Sequence, residues 1–295
     1  MSVARRLSRI VIVAIAFFVP HAAQGQWLDA NVASPGLEGN LLGDDPAPLV
    51  RVHLPPGYET EPDQRYPVVY LLHGYLGDAT NMGYVANQVD ALVEAGTIEP
   101  LIIATPTAFN KYQGSFYTNS AVTGLWDDFI TKDLVDYVDS NFRTLPQRES
   151  RGIAGYSMGG YGAIKLALLH PEVYGAAYAV SACCVSLEEQ FMVQDRQHLL
   201  AAASATVFNG AHWLVKAQIA AAAAFSPNPE AEPFFADFPL AEDGSLRPDV
   251  WERWLQHDPL TLLATHASGL IDMRLGLDVG ESDNIATGSH TFSEA

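Results

Sequence analysis

The chain has 295 residues, 48% of them hydrophobic and 17% charged, with 16 basic against 34 acidic side chains and a formal net charge of −18. A surface that acidic argues against nucleic acid or anionic membrane as a partner. The two cysteines, Cys183 and Cys184, are adjacent, which leaves no disulfide framework and no zinc-ligand spacing; they read as small buried residues, with a vicinal disulfide, which would close a strained ring, as the alternative.

At the start, Arg5, Arg6 and Arg9 precede an apolar run from Ile10 to Val19, and Ala23-Gln24-Gly25 offers the small residues that a signal peptidase reads. Residues 1–25 are expected to be a secretory signal peptide, since so short a run cannot span a bilayer. Residues 26–295 then carry 13 basic and 34 acidic side chains, net −21. They are expected to form one exported α/β domain, secreted or periplasmic, with no membrane span.

Pro48 to Pro55 reads as a strand running into the turn Pro55-Pro56-Gly57-Tyr58. Tyr66 to Leu72 has the length and apolarity of a buried strand and opens into His73-Gly74-Tyr75-Leu76-Gly77. Val85 to Ala95 is a helical stretch closed by Gly96, and Pro100 to Thr105 is the next buried strand. From Trp126 to Phe142 apolar residues recur at helical spacing, with Asp127 and Asp128 in the first turn, where the helix dipole favours acids.

The next strand runs into Gly155-Tyr156-Ser157-Met158-Gly159, and a small-residue helix follows from Tyr161 to His170. Gly-x-Ser-x-Gly in strand–turn–helix context is the nucleophile elbow. Its sharp turn lifts the Ser157 hydroxyl clear of the sheet, and side chains at Gly155 and Gly159 would collide with neighbouring backbone. Acyl transfer also needs two oxyanion donors. The backbone N–H of Met158 supplies one, and that of Tyr75, in the loop after an early strand, supplies the other. His73 precedes the serine and reads as a structural hydrogen-bonder, because the order in such sites is Ser, acid, His.

Ala176 to Ala182 is a further strand, and strands alternating with helices mean a parallel sheet covered on both faces. Residues 185–259 read as a helical insertion, alanine-rich and helical from Ala201 to Ala224 and then broken by prolines. Its aromatics, Trp213, Phe225, Phe234, Phe235, Phe238, Trp251 and Trp254, are expected to pack, with one or two lining an acyl pocket. Asp258 to Ala267 reads as a helix and Met273 to Val279 as a last strand.

From Pro48 to Ala295 the chain resembles the putative esterase family of α/β-hydrolases, which includes S-formylglutathione hydrolases, feruloyl, acetyl and tributyrin esterases, and antigen 85 mycolyltransferases. The residues that carry the resemblance are Leu71-Leu72-His73-Gly74, Asn119 to Gly124, Arg148 to Arg151 before the elbow, Gly159 to Ala163, and Asp278 to Asp283. The resemblance implies an α/β-hydrolase fold, a serine esterase on Ser157 with no cofactor or metal, and a small or carbohydrate-linked ester as substrate. It assigns Asp283 as the triad acid, with Asp278 as the alternative.

The catalytic histidine is where the chain departs from that pattern. Of nine histidines only His290 follows Asp283, and a crossover helix and parallel strand need a dozen or more residues between acid and base. Either the sequence stops inside the helix after Asp283, which leaves His290 on a helix surface, or the base comes from elsewhere. His212, His257 and His266 are the remaining candidates. Two rivals to hydrolysis stand beside it: an antigen 85-like acyltransferase, and a binding protein that keeps the fold without a base.

Overall fold

Seven strands form one sheet in the computed structural model, which describes residues 25–295, and β-branched and aromatic residues are concentrated in its central apolar runs such as Val68 to Leu72 and Ile102 to Pro106. All of the expected signal peptide but Gly25 lies outside the described residues. The sheet contains β1 (Gln26–Asn31), β2 (Leu49–Leu54), β3 (Val68–Leu72), β4 (Ile102–Pro106), β7 (Arg151–Tyr156), β8 (Ala176–Val180) and β9 (Arg274–Asp278). Two short strands, β5 (Asn119–Ser120) and β6 (Gly124–Leu125), pair separately. Across the sheet the order is β1-β2-β4-β3-β7-β8-β9.

The five strands from β4 to β9 in that order are parallel, whereas β1 and β2 run antiparallel along one edge. The sheet is therefore mostly parallel. Residues Gln26 to Asn31 gave no strand signal, because an exposed edge strand carries only scattered apolar residues. Pairing with β2, from Gln26 opposite Leu54 to Asn31 opposite Leu49, holds β1 in place.

The helices are α1 (Gly83–Glu94), α2 (Trp126–Asp128), α3 (Leu134–Asn141), α4 (Met158–Leu169), α5 (Arg196–Ala203), α6 (Trp213–Phe225), α7 (Pro248–Leu255), α8 (Pro259–His266) and α9 (Ala286–Glu294). A π-helical turn, Phe129–Asp133, joins α2 to α3, so the apolar stripe read from Trp126 onward is one continuous helical segment. α4 is buried from Met158 through Leu168, which its small residues permit. The expected helix from Ala201 to Ala224 is two helices. Helix α5 stops at Ala203, and Gly210, at φ +85°, adopts a left-handed turn before α6 begins. Residues of the insertion, among them Leu199, Ile219, Phe225 and Trp254, share one core with Val52 and Tyr70 of the sheet.

Candidate active site

The C-terminal ends of the parallel strands converge on one place. Leu72 lies opposite Gly155, Tyr156 opposite Val180, and Val180 opposite Asp278. The residues that follow those strand ends are thereby brought side by side, where open parallel sheets hold their ligands.

Ser157 sits at the turn between β7 and α4 with φ 55° and ψ −119°. A non-glycine residue there costs about 1–3 kcal/mol, and such strain persists only where the surroundings enforce it. They do so here. The Ser157 N–H donates to the Val180 carbonyl at 3.1 Å, and the Ser157 carbonyl accepts from Tyr161 N–H at 3.0 Å and Cys183 N–H at 3.3 Å. A Cβ on Gly155 would stand 2.3 Å from the Gly159 carbonyl group, and one on Gly159 would stand 2.1 Å from the Leu72 carbonyl oxygen. Both neighbours are backbone, so only glycine lets α4 fold back against β7 and β3.

The facing wall is the loop after β3. His73 is fully buried; its Nε2 accepts the Ala108 N–H at 2.8 Å, which leaves Nδ1 to donate to the Gly74 carbonyl at 2.8 Å. Burial holds its pKa down to about 4, so the ring stays neutral and both nitrogens are committed to bracing the loop. The Tyr117 hydroxyl donates to the His73 carbonyl at 2.8 Å. Behind it, buried Lys165 donates from Nζ to the Tyr117 carbonyl at 3.2 Å and to Thr118 Oγ1 at 2.6 Å. Burial lowers the Lys165 pKa to about 8. Phe116 and Tyr117 both have positive φ, 49° and 47°, and this braced loop carries Phe116 into the site.

A cavity of about 200 Å³ brings together Ser157, Met158, Tyr75 and Asp283, all four residues assigned to the chemistry from the sequence. Asp283 is half-buried in the turn after β9, and its Oδ1 accepts the Ile285 N–H at 3.2 Å. Asp278 ends β9 exposed and does not line the cavity; its carbonyl accepts the Ser181 N–H at 2.7 Å.

No histidine among the described residues lines this cavity. His290 is exposed on α9. His257 stacks on Phe225 at 5.1 Å, and burial together with the Lys165 charge lowers its pKa to about 3. His212 caps α6, its Nδ1 accepting the Leu214 N–H at 3.3 Å, while its ring stacks on His198 at 5.4 Å. His266 lies in the last turn of α8.

The insertion forms the far wall with Phe191, Asp195, Trp213, Leu214 and Gln218. Of the seven aromatics singled out there, Trp213 lines the cavity, while Phe225, Phe234, Phe238 and Trp254 are buried in the core. Phe191 and Gln218 reach this wall through the way the insertion folds over the sheet, which no local pattern announces, while the two cysteines enter the cavity from the turn after β8.

The family described as Putative esterase matches residues 46–291. An esterase of Mycobacterium tuberculosis is 33% identical over 124 residues, covering 41% of this chain and 26% of that protein. The S-formylglutathione hydrolase of Bos taurus is 30% identical over 148 residues, covering 45% of this chain and 51% of that one. The chain thus spans between about a quarter and a half of the length of these relatives. Among solved structures, a ferulic acid esterase superposes with a TM-score of 0.60 over 92% of this chain and 85% of its own, at 22% identity, which is a likeness of fold.

Proposed function

The chain belongs to the putative esterase family and has the α/β-hydrolase fold, and from that premise we propose that it is an exported serine carboxylic-ester hydrolase acting through an acyl-enzyme on Ser157. The observation that carries this reading is the strained Ser157 turn opening into a cavity shared with Asp283, Tyr75 and Met158. In the proposed reaction Ser157 Oγ attacks the ester carbonyl carbon while its proton passes to an imidazole. The oxyanion that forms takes hydrogen bonds from the Tyr75 and Met158 backbone N–H groups. Collapse expels the alcohol, which takes up the proton, and water then releases the acid by the same route. Asp283 is the group that would orient the imidazole and balance its charge. Export rests on the basic and apolar pattern of residues 1–25.

No described histidine lines the cavity, and a general base contributes about 10²–10⁴-fold. Residues 26–295 by themselves are therefore expected to hydrolyse p-nitrophenyl acetate slowly. Added imidazole supplies the missing proton acceptor and should raise the rate, whereas Ser157→Ala should abolish that protein-dependent increment. An equal imidazole-dependent rate in the variant would show that Ser157 is not the nucleophile.

A further inference from the structure

Cys183 and Cys184 line the same cavity as Ser157, yet the ester chemistry uses neither. They are free thiols, Cys183 half-buried and Cys184 buried, and the Cys184 thiol donates to Cys183 Sγ at 2.9 Å. These are the only cysteines in the sequence, so each has just one possible intrachain partner. Their segment is threaded between the two halves of the catalytic arrangement. Ser181 N–H is bonded to the Asp278 carbonyl, and Cys183 N–H is bonded to the carbonyl of Ser157 itself. Ser181 and Cys184 hold positive φ, 41° and 61°, and a Cβ on Gly160 of α4 would stand 2.9 Å from Ala182 Cβ. The backbone here has no slack.

We infer that Cys183 and Cys184 form a two-thiol modification site in the wall of the ester pocket, taking low-molecular-weight disulfides as oxidants. The functional consequence rests on the esterase reading; the covalent chemistry does not. The half-buried Cys183 thiolate attacks one sulfur of the incoming disulfide and expels its first thiolate, giving a mixed disulfide. Burial holds the Cys184 thiol protonated, so it gives up its proton to the departing thiolate as it attacks Cys183 Sγ, forms the vicinal Cys183–Cys184 disulfide and expels the second. Two protein sulfurs are oxidised, the incoming disulfide is reduced to two thiols, and the two protein thiol protons end on them. Closing a ring across adjacent residues forces the 183–184 backbone to rearrange. The hydrogen bond from Cys183 N–H to Ser157 then carries that shift to the nucleophile.

The test treats native residues 26–295 with oxidised glutathione and reads intact mass together with Ser157-dependent, imidazole-supported hydrolysis. The expected product is lighter by two hydrogens and carries no glutathione. Its rate should fall by about tenfold or more, since an ångström of displacement at a reacting group can cost on the order of a hundredfold, and dithiothreitol should restore it. Cys183→Ser should show no loss of two hydrogens, and its ratio of treated to untreated rate should stay near unity. A persistent glutathione adduct, or no change in mass, would overturn the vicinal site. Loss of two hydrogens with an unchanged rate would overturn its link to the pocket. If the untreated protein shows no Ser157-dependent rate, the esterase reading fails while the mass measurement still decides the thiol chemistry.

Discussion

Asp278 ends β9 and Asp283 stands five residues beyond it, and their surroundings separate them. Asp278 is exposed, outside the cavity, with its carbonyl engaged by Ser181, whereas Asp283 is half-buried in the cavity wall and held by its own turn. A carboxylate that orients an imidazole must share its space, so of these two the proposed role falls to Asp283. Asp283→Asn is expected to lower the Ser157-dependent, imidazole-supported rate by about tenfold or more, and Asp278→Asn by less than about twofold. Esterase rates of the two variants check this, and reversed magnitudes would move the role to Asp278. At this scale the sequence was legible where the chemistry fixes residue types at consecutive positions, as in Gly155 to Gly159. It was silent on Phe191, Gln218 and the bracing by Lys165, because side chains far apart in sequence meet there only through packing.

The elements were legible where one physical signal dominates. β3 and β4 are buried parallel strands, and their apolar runs mark them, whereas β7 is only partly buried and is marked by the elbow it runs into. β1 has no such run and exists because β2 offers it an edge, while the break between α5 and α6 falls on residues 204–212, where Thr206, Val207, Asn209 and Gly210 interrupt the alanines and favour turns over helix. The elbow joins elements most tightly at Gly159, where α4 lies against the end of β3. A methyl group there would meet the Leu72 carbonyl oxygen at 2.1 Å, a backbone atom that moves only if helix and strand separate. Gly159→Ala is thus expected to destabilise the fold by about 1–3 kcal/mol or more, the range for overpacking a dense core. Gly83, at the start of α1, has nothing within 4 Å of where its Cβ would be. Gly83→Ala should therefore be neutral or slightly stabilising. Urea melts of both variants check the contrast, and equal midpoints would mean that α4 can retreat from β3 without cost.

For the whole molecule, buried histidines kept neutral tie stability to pH. Burial lowers His73 to about 4 and His257 to about 3, the latter with help from the Lys165 charge. In the unfolded chain both return to about 6.5. The unfolded state therefore binds protons first as pH falls, so the stabilising contribution is present above about pH 6.5 and is lost on acidification toward the folded values. His170 acts in the opposite sense. Burial alone would lower its pKa, but the hydrogen bond and charge of Asp127 outweigh that and raise it, so its contribution is present below about 6.5 and fades as pH rises. His257 isolates the acid limb, because it lies outside the cavity and its ring packs on Phe225. His257→Gln removes that one titration. The wild type should lose stability relative to this variant between about pH 6.5 and 4, with a slope of at most about 1.4 kcal/mol per pH unit. Lys165→Met should flatten the wild-type slope in turn, since the Lys165 charge helps keep His257 neutral. Urea midpoints measured across that range decide it. Parallel curves for wild type and His257→Gln would mean that His257 accepts its proton in the folded protein, and that Phe225 and Lys165 do not hold the ring as this packing requires.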